Sequence, residues 1–221
     1  MVMRVMRIRV DPRSFSPSEL RAVAEIARRG GLVVYPTDTV YGLGTNPFIR
    51  EAVLRVFSVK RRPLNKPLPV LVSGIDEARN LVELDNRSLC LAKRFWPGAL
   101  TLVLPAKPTV PRELHAGLGK LGVRMPAHPV AISLIRLSGG SLVGTSANRH
   151  GWPSPRTADE ALRQLGGEVD AVIDSGPAPG GVPSTVIELV GDGVRLVRRG
   201  PISLEEVLDA LRECGLDEAK N

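Results

Sequence analysis

The stretch STVIELVGDGVRLVRR, residues 184–199, predicts a β-hairpin that turns at Gly191, Asp192 and Gly193. Ahead of it, segments with helical and strand periodicity alternate along the chain, as they do in α/β proteins. The hairpin pairs its strands antiparallel, whereas helical crossovers join parallel strands. We therefore expect an α/β fold with a mixed sheet and flanking helices, formed by residues 1–221 as a single domain.

Helix starts are marked by residues that can cap free backbone N–H groups. Ser16, Thr157 and Ser203 each stand three residues before a glutamate, which is the spacing of a capping box. Each is followed by a segment with helical periodicity. The three residues therefore predict three helix N-termini, the last of them close to the end of the chain.

The bulk composition sets limits on the class of protein. The chain has 221 residues, of which 43% are apolar, so it can bury a core without relying on disulfides or metals. No run of 18 apolar residues occurs, and no membrane-spanning helix is predicted. The N-terminal MVMRVMRIRV alternates apolar and basic residues, which favours an edge strand over a signal peptide. The net charge of +7 predicts an anionic partner such as a nucleotide or a nucleic acid.

The chain contains two cysteines, Cys90 and Cys214. They lie far apart in the sequence, and neither has a partner in a CxxC motif. We expect both to be free thiols of an intracellular protein. This expectation and the N-terminal sequence both favour a cytoplasmic location.

Polar residues interrupt the apolar pattern in loops that follow predicted strands. YPTDTVYGLGTN (residues 35–46) contains threonine hydroxyls, one carboxylate and two glycines that allow close backbone approach to a ligand. TSAN (145–148) offers a hydroxyl and an amide, and GVPSTV (181–186) offers two more hydroxyls. Ligands of open α/β sheets bind beyond the strand ends, so we expect these loops to converge on one site.

The stretch KRRPLNKPL, residues 60–68, concentrates four cations between a predicted helix and a predicted strand. Its two prolines disfavour a helix, so we expect an extended segment. In an extended chain Lys60, Arg62 and Lys66 project to one side and Arg61 to the other. Like charges on one side repel unless an anion lies among them, so the segment predicts a phosphate site. A solvated charge run is the alternative interpretation.

No motif for covalent or metal-dependent chemistry is present in the sequence. His115, His128 and His150 lack the spacing of metal ligands, and no Cys–His pair is supported by its neighbours. The nucleotide-binding motifs GxGxxG and GxxxxGK[ST] are also absent. Arg124, in GVRMP at the end of a short strand, can bind a carboxylate with its guanidinium fork or form a surface salt bridge. The candidate residues thus indicate catalysis by positioning and charge neutralisation.

Six motifs occur in an order that resembles the threonylcarbamoyl-adenylate synthase family, which has the YrdC-like fold. They are PTDTVYGLG, KRRPLNKPL, WPGALT, VRMP, TSAN followed by GWPSP, and STVIEL followed by VRRG. The resemblance extends from about residue 16 to 205. It implies an open, twisted mixed sheet with flanking helices around a concave basic cavity.

The resemblance also implies roles for individual residues. The threonine-binding residues would be Thr39, Arg124, Ser146 and Ser184. The residues facing ATP would be Lys60, Arg62, Lys66, Asn148, Arg156 and Arg198. Among these, Lys60 and Arg62 would be the catalytic residues, and no protein side chain is assigned to a metal.

The reaction implied by the resemblance joins L-threonine, bicarbonate and ATP into threonylcarbamoyl-AMP and pyrophosphate. The threonine amine would attack CO₂ derived from bicarbonate, and the resulting carbamate would attack the α-phosphorus of ATP. Mg²⁺ would accompany ATP as cofactor. A separate tRNA-modifying transferase would then take the threonylcarbamoyl group to an adenosine of tRNA.

The sequence departs from the family pattern at a few positions. Leu71 stands where longer members carry a histidine, Lys120 where a threonine is common, and Arg156 where a threonine is usual. These differences concern the details of ligand contact rather than the type of reaction.

Two other functions are compatible with the sequence. One is an RNA-binding module that uses the basic cavity, although aromatic residues make up only 4% of the chain and offer little for base stacking. The other is an inactive scaffold that contacts the tRNA-modifying transferase. Threonine-dependent ATP consumption distinguishes the enzyme from both.

Overall fold

The computed structural model describes residues 5–216. The strands are β1 (Met6–Arg9), β2 (Val33–Tyr35), β3 (Gly42–Gly44), β4 (Val70–Val72), β5 (Leu100–Pro105), β6 (Lys120–Arg124), β7 (Ser141–Val143), β8 (Thr145–Ser146), β9 (Ala171–Asp174), β10 (Thr185–Val190) and β11 (Gly193–Arg198). The α-helices are α1 (Arg21–Arg28), α2 (Arg50–Lys60), α3 (Ile75–Arg79), α4 (Asn86–Phe95), α5 (Pro129–Leu137), α6 (Ala158–Leu165) and α7 (Leu204–Glu213). Short 3-10 helices at Pro17–Leu20 and Gly166–Glu168 flank α1 and α6.

The strands form two sheets rather than the single sheet that we expected from the sequence. The first has the order β1-β9-β2-β3-β8, and the second has the order β11-β10-β5-β6-β4-β7. In the first sheet β9 pairs parallel with β1 and β2, while β3 pairs antiparallel with β2 and β8. The second sheet also combines parallel and antiparallel pairs. The α/β class with mixed strand pairing and flanking helices is therefore confirmed.

The chain passes from the second sheet to the first at Gly144. β7 ends at Val143 and pairs with β4, while β8 begins at Thr145 and pairs with β3. A Cβ atom on Gly144 would lie 2.3 Å from Cγ of Leu71, so a larger residue does not fit at this crossing. The apolar pattern of SLVGTS, residues 141–146, does not reveal this change of sheet.

Tyr35 on β2 of the first sheet lies in the core and contacts residues of the second sheet. Its fully buried side chain packs in one cluster with Leu71 and Leu142 of the second sheet, and its hydroxyl donates a hydrogen bond to the Val143 carbonyl at 3.2 Å. A Cβ atom on Gly44 would lie 2.8 Å from the Tyr35 ring and 2.7 Å from the Val143 oxygen. Gly44 therefore allows the close contact of the two sheets, whereas the sequence suggested that it faces a ligand.

The predicted helix caps are present. Ser16 and Ser203 form complete capping boxes with the glutamates three residues later. Thr157 accepts a hydrogen bond from the backbone N–H of Glu160 at 3.2 Å, but the Glu160 carboxylate binds the N–H of Arg156 instead of closing a box. Local sequence thus predicts the position of these helix ends correctly.

Both predictions for the terminal strands are confirmed within residues 5–216. The β10–β11 hairpin turns between Val190 and Gly193, which are paired, and β1 lies at the edge of the first sheet beside β9. Residues 1–4 of the predicted N-terminal strand lie outside the described residues. None of the helices in the described part of the chain has the length and apolar character needed to cross a membrane.

The prediction of two free cysteines was wrong, because Cys90 and Cys214 form a disulfide. Cys90 lies on α4, and Cys214 follows the last residue of α7, which packs against α4. The pair is created by this helix packing across 124 residues of sequence, so the absence of a nearby second cysteine gave no information about it.

The double substitution Cys90→Ala and Cys214→Ala is expected to lower the free energy of unfolding by about 2–4 kcal/mol. The disulfide closes a loop of 124 residues, and its removal increases the conformational entropy of the unfolded chain. Denaturant titration under oxidising conditions measures the effect. A reductant should bring the wild-type protein to the stability of the variant and leave the variant unchanged. Equal stability of oxidised wild type and variant would contradict a stabilising disulfide.

Candidate functional site

A cavity of about 970 Å³ is lined by residues of both sheets. Its volume is that of a small-molecule site. One wall is a face of the second sheet, where side chains at every second position point to the same side. These positions are Thr101 and Val103 of β5, Gly122 and Arg124 of β6, and Ser184, Val186 and Glu188 on or next to β10. The facing wall comprises the β2–β3 loop, β8 and the segment that follows α2.

Arg124 is held rigidly at the end of β6 and is only 4% exposed. Its Nε donates to the Gly98 carbonyl at 2.8 Å, and Nη1 donates to the Thr39 hydroxyl at 3.0 Å. Nη2 donates to the carboxylate of Asp38, which forms a buried salt bridge with it. Burial lowers the pKa of Arg124, while the Asp38 carboxylate opposes this shift. Because a guanidinium has five N–H groups, Arg124 retains donors for a ligand in the cavity.

Hydroxyl groups surround Arg124 on the same side of the cavity. The hydroxyls of Ser184 and Thr101 are 2.8 Å apart, and those of Thr37 and Thr39 are 3.0 Å apart. Arg198 donates to the Ser184 hydroxyl at 3.0 Å. Thr37 lies in the predicted site loop 35–46, although no individual role was assigned to it, whereas Thr101 was not predicted as a site residue. Thr101 could have been recognised as a polar residue inside the apolar strand LTLVLP.

The segment KRRPLNKPL does not have the extended conformation that we predicted. Lys60 is the last residue of α2, and Arg61 ends the helix in the left-handed conformation at φ 50°. The N–H of Lys66 then donates to the Pro63 carbonyl at 3.1 Å, which forms a turn. The apolar periodicity of REAVLRVFSVK continues to Lys60, so Lys60 belongs to the helix. The two prolines affect only the residues that follow the helix. As a result Arg62 and Lys66 line the cavity and Lys60 does not.

Three of the predicted ATP-binding residues lie outside the cavity lining. Lys60 is 1% exposed, and its Nζ donates to the carbonyls of Ser146 and Asn148. The amide nitrogen of Asn148 donates to the carbonyls of Arg149 and Trp152 at 2.9 and 2.7 Å. Arg156 is exposed on the surface before α6. The structure thus brings together Arg62, Lys66 and Arg198 from this set, with Thr39, Arg124, Ser146 and Ser184 from the threonine set.

The cations of the cavity differ in their partners. Glu188 is 4% exposed and binds Lys120 at 2.5 Å and also Arg195. The hydrogen bond from Lys120, assisted by that from Arg195, lowers the pKa of Glu188, so its negative charge offsets theirs. Within residues 5–216, Arg62, Lys66 and Arg198 form no salt bridge with a carboxylate and remain available for an anionic ligand. All three residues line the cavity.

His150 lies in the cavity lining next to these cations. Its pKa is lowered from the ordinary 6.5, first by burial and then by the positive charges of Arg62, Lys66 and Lys60. The sequence gave no reason to place His150 in a site, because it lacked a partner at metal-ligand spacing. In the structure the contribution of the three cations to its lowered pKa indicates a positive electrostatic potential in this part of the cavity.

Two of the departures from the family pattern also lie in the cavity lining. Leu71 is 3% exposed and contacts the crossing at Gly144. Lys120 is used in the ion pair with Glu188, with an Nζ–Oε1 distance of 2.5 Å. Both residues therefore have structural partners within the protein.

The structure is that of an α/β protein with a cavity of small-molecule size whose lining includes several cations, and comparison with known proteins assigns its family. The profile of the family Sua5_yciO_yrdC, described as "Telomere recombination", matches residues 25–200. The chain belongs to this family, and the resemblance found in the sequence is confirmed.

Curated relatives and solved structures agree with this assignment. The threonylcarbamoyl-AMP synthase of Pyrococcus abyssi is 41% identical over 202 residues, which cover 91% of this chain and 59% of that protein. A putative threonylcarbamoyl-AMP synthase of Mycobacterium tuberculosis is 40% identical over 95% of this chain and 94% of its own length. The crystal structure of P. abyssi Sua5 complexed with L-threonine has a TM-score of 0.88 at 39% identity, covering 94% of this chain and 61% of that one. The chain thus spans about three fifths of the P. abyssi relative.

Proposed function

We propose that this chain is an L-threonylcarbamoyladenylate synthase, which makes threonylcarbamoyl-AMP and pyrophosphate from L-threonine, bicarbonate and ATP. The observation that carries the proposal is the meeting of two kinds of subsite in one cavity. Arg124 with its neighbouring hydroxyls suits an amino-acid carboxylate and a hydroxyl side chain. Arg62, Lys66 and Arg198, which form no salt bridge within residues 5–216, suit a polyphosphate. The names of the relatives, and the threonine complex of P. abyssi Sua5, support the same reaction.

In the threonine subsite Arg124 would bind the carboxylate, and Thr39, Ser146 and Ser184 would contact the rest of the amino acid. The free amine would attack CO₂ derived from bicarbonate to form a carbamate. A carbamate oxygen would then attack the α-phosphorus of ATP, and the bond from this phosphorus to the bridging oxygen of pyrophosphate would break. No protein nucleophile takes part in these steps, which agrees with a site composed of hydrogen-bond donors and cations.

In the nucleotide subsite Arg62, Lys66 and Arg198 would contact the phosphates. Arg62 donates to the carbonyls of Lys66 and Pro67 at 3.1 and 2.8 Å, so its guanidinium is oriented before a ligand arrives. Preorganised donors lose little entropy on binding. Because Lys60, Asn148 and Arg156 lie outside the cavity lining, the proposal does not depend on their contact with ATP.

Mg²⁺ would enter the cavity bound to ATP. The residues described contain no cluster of three or more His, Cys, Asp or Glu side chains that could hold a metal ion. The oxygens of Glu188, a carboxylate in the cavity wall, are engaged by Lys120 and Arg195. Such a site suits Mg²⁺, which keeps several waters and is commonly held by substrate phosphates. When bound, it would neutralise part of the phosphate charge.

The product would pass to a separate transferase that modifies an adenosine of tRNA. We place both steps in the cytoplasm, where ATP and tRNA are available, although the Cys90–Cys214 disulfide removes the support that free thiols would have given. Direct binding of tRNA or other RNA by this chain is compatible with its net charge of +7. RNA binding with a steep salt dependence, but without nucleotide turnover, would favour the RNA-binding module instead.

The proposal is tested by measuring pyrophosphate release from MgATP in the presence of threonine and bicarbonate. Release is expected to require all three substrates, and omission of threonine or bicarbonate should reduce it to background. Serine, which lacks the methyl group, provides a control for the amino-acid subsite. Absence of threonine-dependent release from protein with an intact fold would reject the proposed function.

Binding of ATP is expected to raise the pKa of His150 towards or above 6.5. In the free protein burial and the charges of Arg62, Lys66 and Lys60 hold this pKa below 6.5. A triphosphate bound among these cations would stabilise the protonated imidazole. NMR titration of the His150 ring with and without ATP measures the shift, and the ring of His115 outside the cavity lining provides the reference. An unchanged titration of His150 at saturating ATP would place the phosphates elsewhere.

A further inference from the structure

Lys60 is attached to the segment 146–150 by both its side chain and its backbone. Its Nζ donates to the Asn148 carbonyl at 2.6 Å and also to the Ser146 carbonyl. Its own carbonyl accepts a hydrogen bond from the His150 N–H at 2.7 Å. The end of α2 and the segment after β8 are therefore joined through this single residue.

The segment that Lys60 holds contributes to the cavity on both sides of Asn148. Ser146 and His150 line the cavity, whereas Asn148 turns its amide inward to the carbonyls of Arg149 and Trp152. The backbone positions of Ser146 and His150 thus depend on the turn between them. By donating to the carbonyls of this turn, Lys60 therefore positions the side chains of Ser146 and His150 in the cavity.

Lys60 and Lys66 differ in how they are placed relative to the cavity. Lys66 is exposed and lines the cavity, as does Arg62. Lys60 is 1% exposed, is absent from the lining, and has its ammonium in contact with two carbonyl oxygens. Because its Nζ is buried outside the cavity lining, Lys60 would have to move away from both carbonyls to reach a phosphate, and the loss of these two hydrogen bonds is unfavourable.

We infer that Lys60 is a positioning residue that fixes the Ser146 and Asn148 carbonyls, and that Arg62 and Lys66 provide the cationic contacts to the phosphates. The sequence instead assigned Lys60 itself to ATP and to catalysis. The part of the inference that concerns phosphates rests on the proposed function. The part that concerns the 146–150 segment rests on the contacts of the ligand-free protein.

The titration of Lys60 agrees with a positioning role. Burial, and secondarily the charge of Arg62, lowers the pKa of Lys60 to about 7. A neutral amine still has two N–H donors, which is the number that the carbonyls of Ser146 and Asn148 require. The positioning contacts therefore persist in both protonation states, whereas attraction of a phosphate requires the charge.

Amine acylation of the wild-type protein tests the inference without a substitution. The protein is treated briefly with an acylating reagent at pH 8, with and without MgATP, and modification of each lysine is measured by mass spectrometry. Lys60 is expected to stay unmodified in both conditions, while Lys66 reacts and becomes protected by MgATP. Reaction of Lys60 in the free protein followed by protection with MgATP would overturn the inference.

Substitution by methionine provides the second test, with Lys66→Met as the matched control. Lys60→Met removes the donors at similar length and is expected to speed hydrogen exchange of the 147–150 amides at least tenfold without ligand. It should raise the KM for threonine as well as for ATP, because Ser146 moves. Lys66→Met should leave exchange unchanged and raise the KM for ATP alone. If Lys60→Met behaved like Lys66→Met, the inference would be wrong.

The two tests also separate this inference from the proposed function. Hydrogen exchange and acylation are measured on the free protein without turnover. They therefore test the role of Lys60 even if no threonine-dependent pyrophosphate is formed. If Lys60→Met does not fold, Lys60→Gln, which keeps a donor, replaces it in the exchange experiment. The acylation experiment uses wild-type protein, so it tests the inference whether or not Lys60→Met folds.

Discussion

Substitution of Arg62 by alanine is expected to reduce kcat/KM for ATP by about 10²–10³-fold, the usual effect of removing one preorganised donor from developing charge. Arg62 lines the cavity, is oriented by the carbonyls of Lys66 and Pro67, and forms no salt bridge within residues 5–216. Its free N–H groups can therefore contact a phosphate in two places. Threonine-dependent pyrophosphate release at varied ATP concentrations measures the loss.

Arg61 provides the matched control for this substitution. It is exposed, lies outside the cavity lining, and ends α2 at φ 50°, a conformation that asparagine tolerates. Arg61→Asn therefore removes one positive charge next to Arg62 without disturbing the helix end, and activity should stay close to that of the wild type. Arg62→Lys should recover only part of the loss, because an ammonium lacks the fork geometry. Equal losses for Arg61→Asn and Arg62→Ala would indicate a nonspecific charge patch.

The parts of the fold that depend on neighbouring residues could be predicted from the sequence. The caps at Ser16 and Ser203 satisfy backbone groups two or three positions away, and the turn between Val190 and Gly193 is also local. The candidate site was recognised for a similar reason. Thr39 follows β2, Arg124 ends β6 and Ser184 directly precedes β10, and the ends of strands in an α/β fold are where ligands bind.

The parts that depend on contacts distant in sequence could not be predicted. The charge partner of Arg124 is Asp38, 86 residues away, and the disulfide partner of Cys90 is Cys214. The predicted direction of the Lys60 side chain was wrong for the same reason, because its hydrogen-bond acceptors are carbonyls 86 and 88 residues further along the chain. Backbone carbonyls are present at every position, so no residue type in the sequence identifies them as partners of a lysine.

Substitution of Arg124 by methionine is expected to abolish threonine-dependent turnover and to destabilise the protein by about 3–5 kcal/mol, the usual cost of removing one partner of a buried salt bridge. The side chains of Arg124 and Asp38 are 5% and 13% exposed, so the remaining carboxylate would have little access to water. Turnover would be lost because the threonine carboxylate loses its guanidinium partner and Thr39 loses its donor. Denaturant titration and pyrophosphate release measure the two effects separately.

Asp38→Asn in combination with Arg124→Met separates stability from substrate binding. The double variant removes the charge that Arg124→Met leaves unpaired, so most of the lost stability should return. Turnover should not return, because the carboxylate of threonine still lacks Arg124. Recovery of both properties would mean that Arg124 serves only to neutralise Asp38. Recovery of neither would mean that the bonds of Arg124 to Gly98 and Thr39 hold this wall of the cavity without a contribution from the ion pair.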